Sequence, residues 1–482
     1  MPVETRQIIL PVIAGIALAA GAVAGSTPHA QESARPWEAT ILRSAQNARP
    51  PSGLLAETEL TTLTDRGETL FEARFTAPEG AGRPMATQAI IPTKRKRAPR
   101  NGFQRMSGLD ASGCVSCHNV PVTGGAADFT SNAFVSEGFE SADFDSTDPQ
   151  FSNERNPTHL FGAGLIELLA REMTADLQAI RKRAAQLARQ DRKAVTLPLE
   201  TKGISFGSIT VEADGMVDLS GLDGVDTDLV IRPFSRKGVI TSLRQFTINA
   251  LNAHHGIQAT ERFGERWTGE PDFDEDGISN EAGPHDVSAL VAWQATREPP
   301  IVEEPQDAKW REAAIDGKQR FAEIGCAQCH VPALPLESLR FSDPGPVDAA
   351  GTLRDGELAP SAIYDLAMLE WAKGLERNAD GAVMIPLLGD LKRHRISDQA
   401  HSTLGNELLA QRFVDRDVFI TAELWGVGST APYGHRGDLT TLDEVIRAHG
   451  GEATQAARTY EAMEEDARSS IIAFLKTLVI NP

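Results

Sequence analysis

Cys114-Val115-Ser116-Cys117-His118 and Cys326-Ala327-Gln328-Cys329-His330 contain all four cysteines of the chain. Each pair is followed at once by histidine, a residue that fills only 11 of 482 positions, so two chance followers would be rare. Two thiols three positions apart can add to the two vinyl groups of one haem, and the adjoining imidazole then reaches the iron. A four-cysteine zinc site would leave both histidines unexplained and would join pairs about 200 residues apart, unlike a compact zinc ribbon. A thioredoxin-like pair needs a βαβ setting that neither motif has. The spacing therefore predicts two covalent c-type haems, on Cys114, Cys117 and Cys326, Cys329, with His118 and His330 as proximal iron ligands.

The flanks of the two motifs repeat. Gly67-Glu68-Thr69-Leu70-Phe71 precedes the first and Gly317-Lys318-Gln319-Arg320-Phe321 the second, both in helical segments. Such a helix can lay its Phe against a porphyrin while its Gly admits a neighbouring helix. A further helix is expected over Gly164 to Lys193. Ile471, Phe474, Leu475 and Leu478 mark a terminal packing helix. Only Ile204 to Ile231 looks β-like. Glu298-Pro299-Pro300-Ile301-Val302-Glu303-Glu304-Pro305 reads as a linker, because proline stops helices. The expected fold is mainly α: two cytochrome c-type haem domains, 37–295 and 307–482, joined by a linker over 296–306, with a small β insertion in the first.

Lys and Arg number 47 against 67 Asp and Glu, a net charge of −20, which disfavours nucleic acid and favours a basic protein partner. Residues 1–30 read as an export signal: Arg6, the apolar run Ile8 to Ala24, then small residues. The mature protein is expected in the periplasm, with no stable membrane span. The basic run Lys94-Arg95-Lys96-Arg97 reads as a solvated loop.

Asp272-Phe273-Asp274-Glu275-Asp276-Gly277 carries oxygen ligands at alternating positions before a Gly turn, the first half of a calcium loop. Position twelve would be Gly283, so a standard EF-hand is ruled out. Asp272, Asp274 and Asp276 are the calcium candidates. Glu167 and Glu172, early in the long helix, are candidate acid/base groups for proton transfer.

Thr430-Ala431-Pro432-Tyr433-Gly434-His435-Arg436-Gly437 with Thr441-Leu442-Asp443-Glu444 resembles the second-haem segment of bacterial di-haem cytochrome c peroxidases. The chain is more similar to their di-haem oxidoreductase relatives, sometimes labelled thiol oxidoreductase-like. Arg155-Asn156-Pro157, Leu160 to Glu167, Ser242 to Phe246, Leu424 to Gly428 and His449 to Ala453 carry the same resemblance in the same order. It implies a sixth ligand fourteen residues after His435, which falls on His449 where many peroxidases have Met. Paired histidines make a lower-potential haem than His/Met. His435 would then lie beside the ligand loop or the propionates rather than on the iron. The loop histidine expected soon after the first motif is absent, which leaves the first iron open or capped by His159, His254 or His255. The resemblance implies an enzyme of the peroxidase type. Its C-terminal haem would take electrons from a small c-type cytochrome or cupredoxin, and its N-terminal haem would act on hydrogen peroxide or an organic or protein substrate. The competing reading is a di-haem electron carrier with two six-coordinate irons and no substrate chemistry.

Overall fold

The computed structural model describes residues 40–42, 49–82, 112–135, 152–274, 276–347, 353, 356–357, 360–407 and 414–481. The expected export signal, the Lys94–Arg97 run and Glu275 lie outside the described residues.

Strand β1 (Gly53–Leu54) leads into helix α1 (Glu57–Glu72). The helix starts where the Glu59 carboxylate turns back onto the Ala56 N–H at 2.8 Å, and Glu57 and Glu59 favour its positive end. Leu60, Leu63, Gly67, Leu70 and Phe71 form its buried face, at three- and four-residue spacing. The β2 (Ser131–Val135) and β3 (Ser152–Arg155) pair follows, then the long helix α2 (Ala163–Asp191). The β insertion is the antiparallel sheet β4 (Val195–Thr201), β5 (Ile204–Val211) and β6 (Val217–Asp218), packed on α2. Helix α3 (Leu243–Ala250) is capped by Ser242 and runs into a π-helical turn, Leu251–His255. Two single-turn helices, α4 (Thr260–Phe263) and α5 (Glu265–Thr268), lead to α6 (Pro284–Ala295), which is buried along most of its length.

Strand β7 (Ile301–Val302) lies inside the segment expected as a linker and pairs antiparallel with β14 (Leu478–Val479). The Glu303 N–H also donates to the Thr477 carbonyl at 2.8 Å. Prolines flank the segment, but two β-branched residues between them suit a strand. Helix α7 (Ala308–Glu323) opens on Asp307, whose carboxylate accepts the Trp310 N–H at 2.9 Å. The second half has more strand than its sequence suggested: β8 (Leu334–Leu336), β9 (Arg340–Asp343), β10 (Ala362–Asp365), β11 (Val383–Ile385), β12 (Arg393–Arg395) and β13 (Val418–Ile420), all in two- or three-stranded sheets. Strands of three or four residues leave too few positions for alternation to show. Helices α8 (Leu442–Arg447), α9 (Thr454–Ala462) and α10 (Glu465–Leu475) follow. Ile471, Phe474 and Leu475 are buried on α10 as expected, but Leu478 belongs to β14 instead of the helical stripe.

Two hydrophobic clusters organise these elements. One contains Phe321, Tyr433, Tyr460, Ile471 and Phe474 around α7 and α10. The other gathers α1, α2 and α6 but also takes Leu334, Phe341, Tyr364 and Ile385 from beyond the second cysteine motif. The chain thus returns to its first core after leaving it, and β1 pairs parallel with β10 to fix that return.

In both halves the first helix crosses the last at a glycine. A Cβ on Gly67 would lie 2.1 Å from the Ala289 carbonyl oxygen of α6, and one on Gly317 would lie 1.8 Å from that of Ser470 on α10. The expected helix approach is present at both positions.

Candidate haem and metal sites

Each Cys-x-x-Cys-His motif forms a tight turn directly after a glycine, with both thiols free of disulfides. The N–H of His118 donates to the Cys114 carbonyl and that of His330 to the Cys326 carbonyl, so each turn closes on its own first cysteine. The rings are anchored alike. His118 Nδ1 lies 3.2 Å from the Gly125 carbonyl, and His330 Nδ1 lies 3.2 Å from the Leu388 carbonyl. A ring whose Nδ1–H donates to a carbonyl keeps Nε2 as a lone-pair donor, the tautomer that a metal requires. Phe71 stands 6.1 Å from the His118 ring and Phe321 stands 6.1 Å from the His330 ring. Burial lowers the His118 pKa; burial and then the neighbouring His449 bring His330 down to about 4. Both rings are therefore neutral near pH 7. Burial holds the thiols up, Cys114 to about 12 and Cys326 to about 11.

His449 repeats the anchoring, with Nδ1 2.6 Å from the Val445 carbonyl, and burial lowers its pKa as well. The turn that carries it follows α8, whose Thr441–Glu444 capping box fixes the helix start. After burial, His449 is the group that lowers the His330 pKa most, which puts the two residues that the resemblance paired within electrostatic reach of each other.

Around the first motif the structure gathers all three remaining candidates. His254 and His255 lie on the π-helical turn, a local geometry frequent at functional sites. His255 Nε2 is 3.7 Å from Cys114 Sγ, and its ring is 5.4 Å from Phe75. His254 is driven down to about 3, first by burial and then by His255 and His118. His159 directs Nε2 to the Trp425 carbonyl at 3.0 Å, and its pKa falls to about 4 through burial, with Arg236 and His118 adding to the effect. His159 thus spends on a carbonyl the nitrogen that His118 and His449 keep open.

The acid/base candidates are occupied. Glu167, fully buried, pairs with Arg171 and accepts the Leu243 N–H at 2.7 Å. Glu172 pairs with Lys202 at 2.6 Å and accepts the N–H groups of Glu337 and Ser338. Both carboxylates fasten α2 to its neighbours. His435 is buried against Phe419, with ring centroids 4.7 Å apart, and its backbone carbonyl accepts the Asn156 N–H.

His394, to which the sequence assigned no role, stands beside the second motif. Its Nε2 lies 2.9 Å from Asp390 and its Nδ1 lies 2.7 Å from Glu452. Carboxylates on both nitrogens require both to donate, so the ring is an imidazolium. Burial opposes the charge, but bonds to Asp390, Cys329 and Glu452 outweigh it and raise the pKa to about 11. The four-residue spacing of Asp390 and His394 was the one available signal.

At the acidic loop, carboxylate oxygens of Asp272, Asp274 and Asp276 lie within 4.8 Å of one another. Asp272 accepts the N–H groups of Asp276 and Gly277, which curls the loop. Glu281, 3% exposed, faces the same cluster. Burial, then Asp274, Asp276 and Asp272, hold its carboxyl well above the usual range.

No family profile matches the chain, and no curated protein does. Among solved structures, a hydrazine synthase from Kuenenia stuttgartiensis, pressurised with xenon, is similar over 96% of this chain and 100% of its own, with a TM-score of 0.35 and 12% identity. A MauG-like protein associated with microbial copper homeostasis is similar over 56% of this chain and 78% of its own, with a TM-score of 0.28 and 14% identity.

Proposed function

We propose that the protein is a periplasmic di-haem c-type oxidoreductase of the peroxidase type. The observation that carries the reading is the repeated construction: a Cys-x-x-Cys-His turn, a histidine anchored through Nδ1, and a phenylalanine beside its ring, once in each half. Haem supplies reversible one-electron chemistry at iron. Cys114, Cys117, Cys326 and Cys329 would hold the two groups by thioethers, with His118 and His330 as proximal ligands. His449, also anchored through Nδ1, would supply the second histidine of that site. His394, clamped by Asp390 and Glu452, steadies the turn after His449 and keeps a positive charge near that site.

The C-terminal half is the side that accepts electrons from a small c-type cytochrome or cupredoxin, and the N-terminal half acts on hydrogen peroxide or an organic or protein substrate. One observation favours the electron-carrier reading: His255 brings its Nε2 within 3.7 Å of Cys114 Sγ, with the His254 ring 6.3 Å from its own, so two imidazoles stand at the first motif.

Denaturing electrophoresis with a haem stain tests the foundation, because a colourless band from cells competent in cytochrome maturation would refute it. EPR of the oxidised protein then separates the two readings. One high-spin and one low-spin iron, the former perturbed by peroxide, is the expected result; two low-spin irons indifferent to peroxide would establish the carrier. His449→Ala should remove one low-spin signal and leave the other iron unchanged.

The Asp272 loop is read as a calcium site, in which Asp272, Asp274 and Asp276 would neutralise a hard cation with oxygen ligands. Purified protein should contain calcium, and chelation should lower its thermal midpoint; metal-free protein of unchanged midpoint would end this assignment.

A further inference from the structure

We propose that His394 is a positioning residue that clamps the loop anchoring His330 to the turn carrying His449, and so keeps the second iron bound by both imidazoles. The inference rests on the di-haem reading with His449 as a ligand, and names the groups that hold that ligand in place.

The turn that carries His449 needs holding. It follows α8, a helix of six residues, and continues into Gly450 and Gly451, which have no side chains to pack. Backbone contacts seat it instead. The Gly450 N–H donates to the Ile396 carbonyl at 2.9 Å, and Asp398 accepts the Gly451 N–H at 2.8 Å and the Thr454 hydroxyl at 3.2 Å. A Cβ on Gly450 would lie 2.6 Å from that of His401, and one on Gly451 would lie 2.2 Å from the Arg395 carbonyl oxygen. The two glycines thus let the turn sit directly on the segment 395–401.

The same stretch of chain begins at the anchor of His330. The Leu388 carbonyl faces His330 Nδ1 at 3.2 Å, and the Gly389 N–H donates to the Val331 carbonyl at 3.0 Å. His394 spans from this loop to the turn. Asp390, next in the loop, accepts from its Nε2 at 2.9 Å, and Glu452, just past His449, accepts from its Nδ1 at 2.7 Å. The second oxygen of each carboxylate is also held: Asp390 accepts the Lys392 N–H at 2.9 Å and Glu452 the Arg395 N–H at 2.8 Å. None of the three side chains can rotate without breaking two bonds. Asp390 and His394 are buried, and ligand atoms of both lie within 4.8 Å of Cys329 Sγ, so the clamp abuts the second motif. Bonds between an imidazolium and carboxylates are among the strong ones. Groups that orient ligating histidines in this way alter metal binding about 10–100-fold when lost.

The test titrates the ferric holoprotein with cyanide, followed on the low-spin EPR signal that His449→Ala removes. Apparent affinity for an outside ligand scales with the fraction of iron from which His449 has detached. His394→Ala should raise cyanide affinity at this iron about tenfold, and Glu452→Ala, at an exposed position, about as much. Glu452→Gln should return most of the parent value, because its amide oxygen can accept the Arg395 N–H while its NH2 donates to Nδ1 of a neutral His394 ring. Parent affinity in both alanine variants, with circular dichroism retained, would overturn the proposal. So would a rise confined to His394→Ala, because the link to His449 runs through Glu452. A colourless protein would instead remove the haem reading, and a low-spin signal that survives His449→Ala the ligand assignment, and the clamp would fall with either.

Discussion

His159 and Trp425, 266 residues apart in sequence, meet where the imidazole Nε2 lies 3.0 Å from the indole residue's backbone carbonyl. Gly162 makes room for that tryptophan: a Cβ there would lie 2.6 Å from its ring. The bond ties the segment beside the first motif to the one whose Leu424 N–H donates to the Leu387 carbonyl, next to the Leu388 carbonyl that anchors His330. His159→Leu should leave a buried carbonyl without its donor and cost about 1–3 kcal/mol. Equilibrium unfolding in denaturant measures it, and an unchanged midpoint would show that the bridge contributes nothing.

Arg244 is buried in a network that pins the return of the chain to its first core. It meets Glu261 with two nitrogens, at 2.7 and 2.9 Å, and Asp343 at 2.8 Å, while Tyr364 donates to the other oxygen of Asp343. Arg244→Met should strand two buried carboxylates and cost about 3–5 kcal/mol. Arg244→Lys should recover little of this, because an ammonium cannot reproduce the two-pronged contact with Glu261. Thermal unfolding of the two variants should rank both far below the parent.

At Gly67 and Gly317 an added methyl would strike the backbone of the crossing helix rather than a movable side chain. Gly67→Ala and Gly317→Ala should each destabilise by about 1–3 kcal/mol as the helices are forced apart. Because each change also moves a phenylalanine relative to the neighbouring imidazole, absorption of the holoprotein should shift with it. Normal stability in either variant would contradict the described crossing.

Asp398 accepts the N–H groups of Ala400, His401 and Gly451, each at 2.8 Å, and the bonds to Gly451 and His401 do most to depress its pKa below the ordinary carboxylate range. A depressed folded-state pKa contributes stability above the unfolded value, near 4, that is lost as pH falls toward the folded one. Asp398→Asn should flatten the acid limb of the stability curve below about pH 4 and leave its neutral-to-alkaline shape unchanged. An identical acid limb in both proteins would refute the assignment.

The motifs were legible because their chemistry is local. Five consecutive residues specify a tight turn carrying two thiols and an imidazole, and Gly67 with Phe71 announces a close helix crossing through spacing alone. Helix α2 also shows in its sequence, because a long amphipathic stretch averages over many positions. The short strands of the second half were not legible, since three residues cannot establish a period. Glu167 and Glu172 looked free in sequence because their partners, Leu243, Lys202, Glu337 and Ser338, are brought to them by the fold. His394 was missed for the same reason: Glu452, its second carboxylate, is 58 residues away.

The ladder between Ile301–Val302 and Leu478–Val479 fastens the segment that joins the two halves to the last strand of the chain. A swinging rearrangement would have to unzip it and break the Glu303–Thr477 bond beside it. A change in the spacing of the two cysteine motifs that turns on this segment would have to break those bonds first.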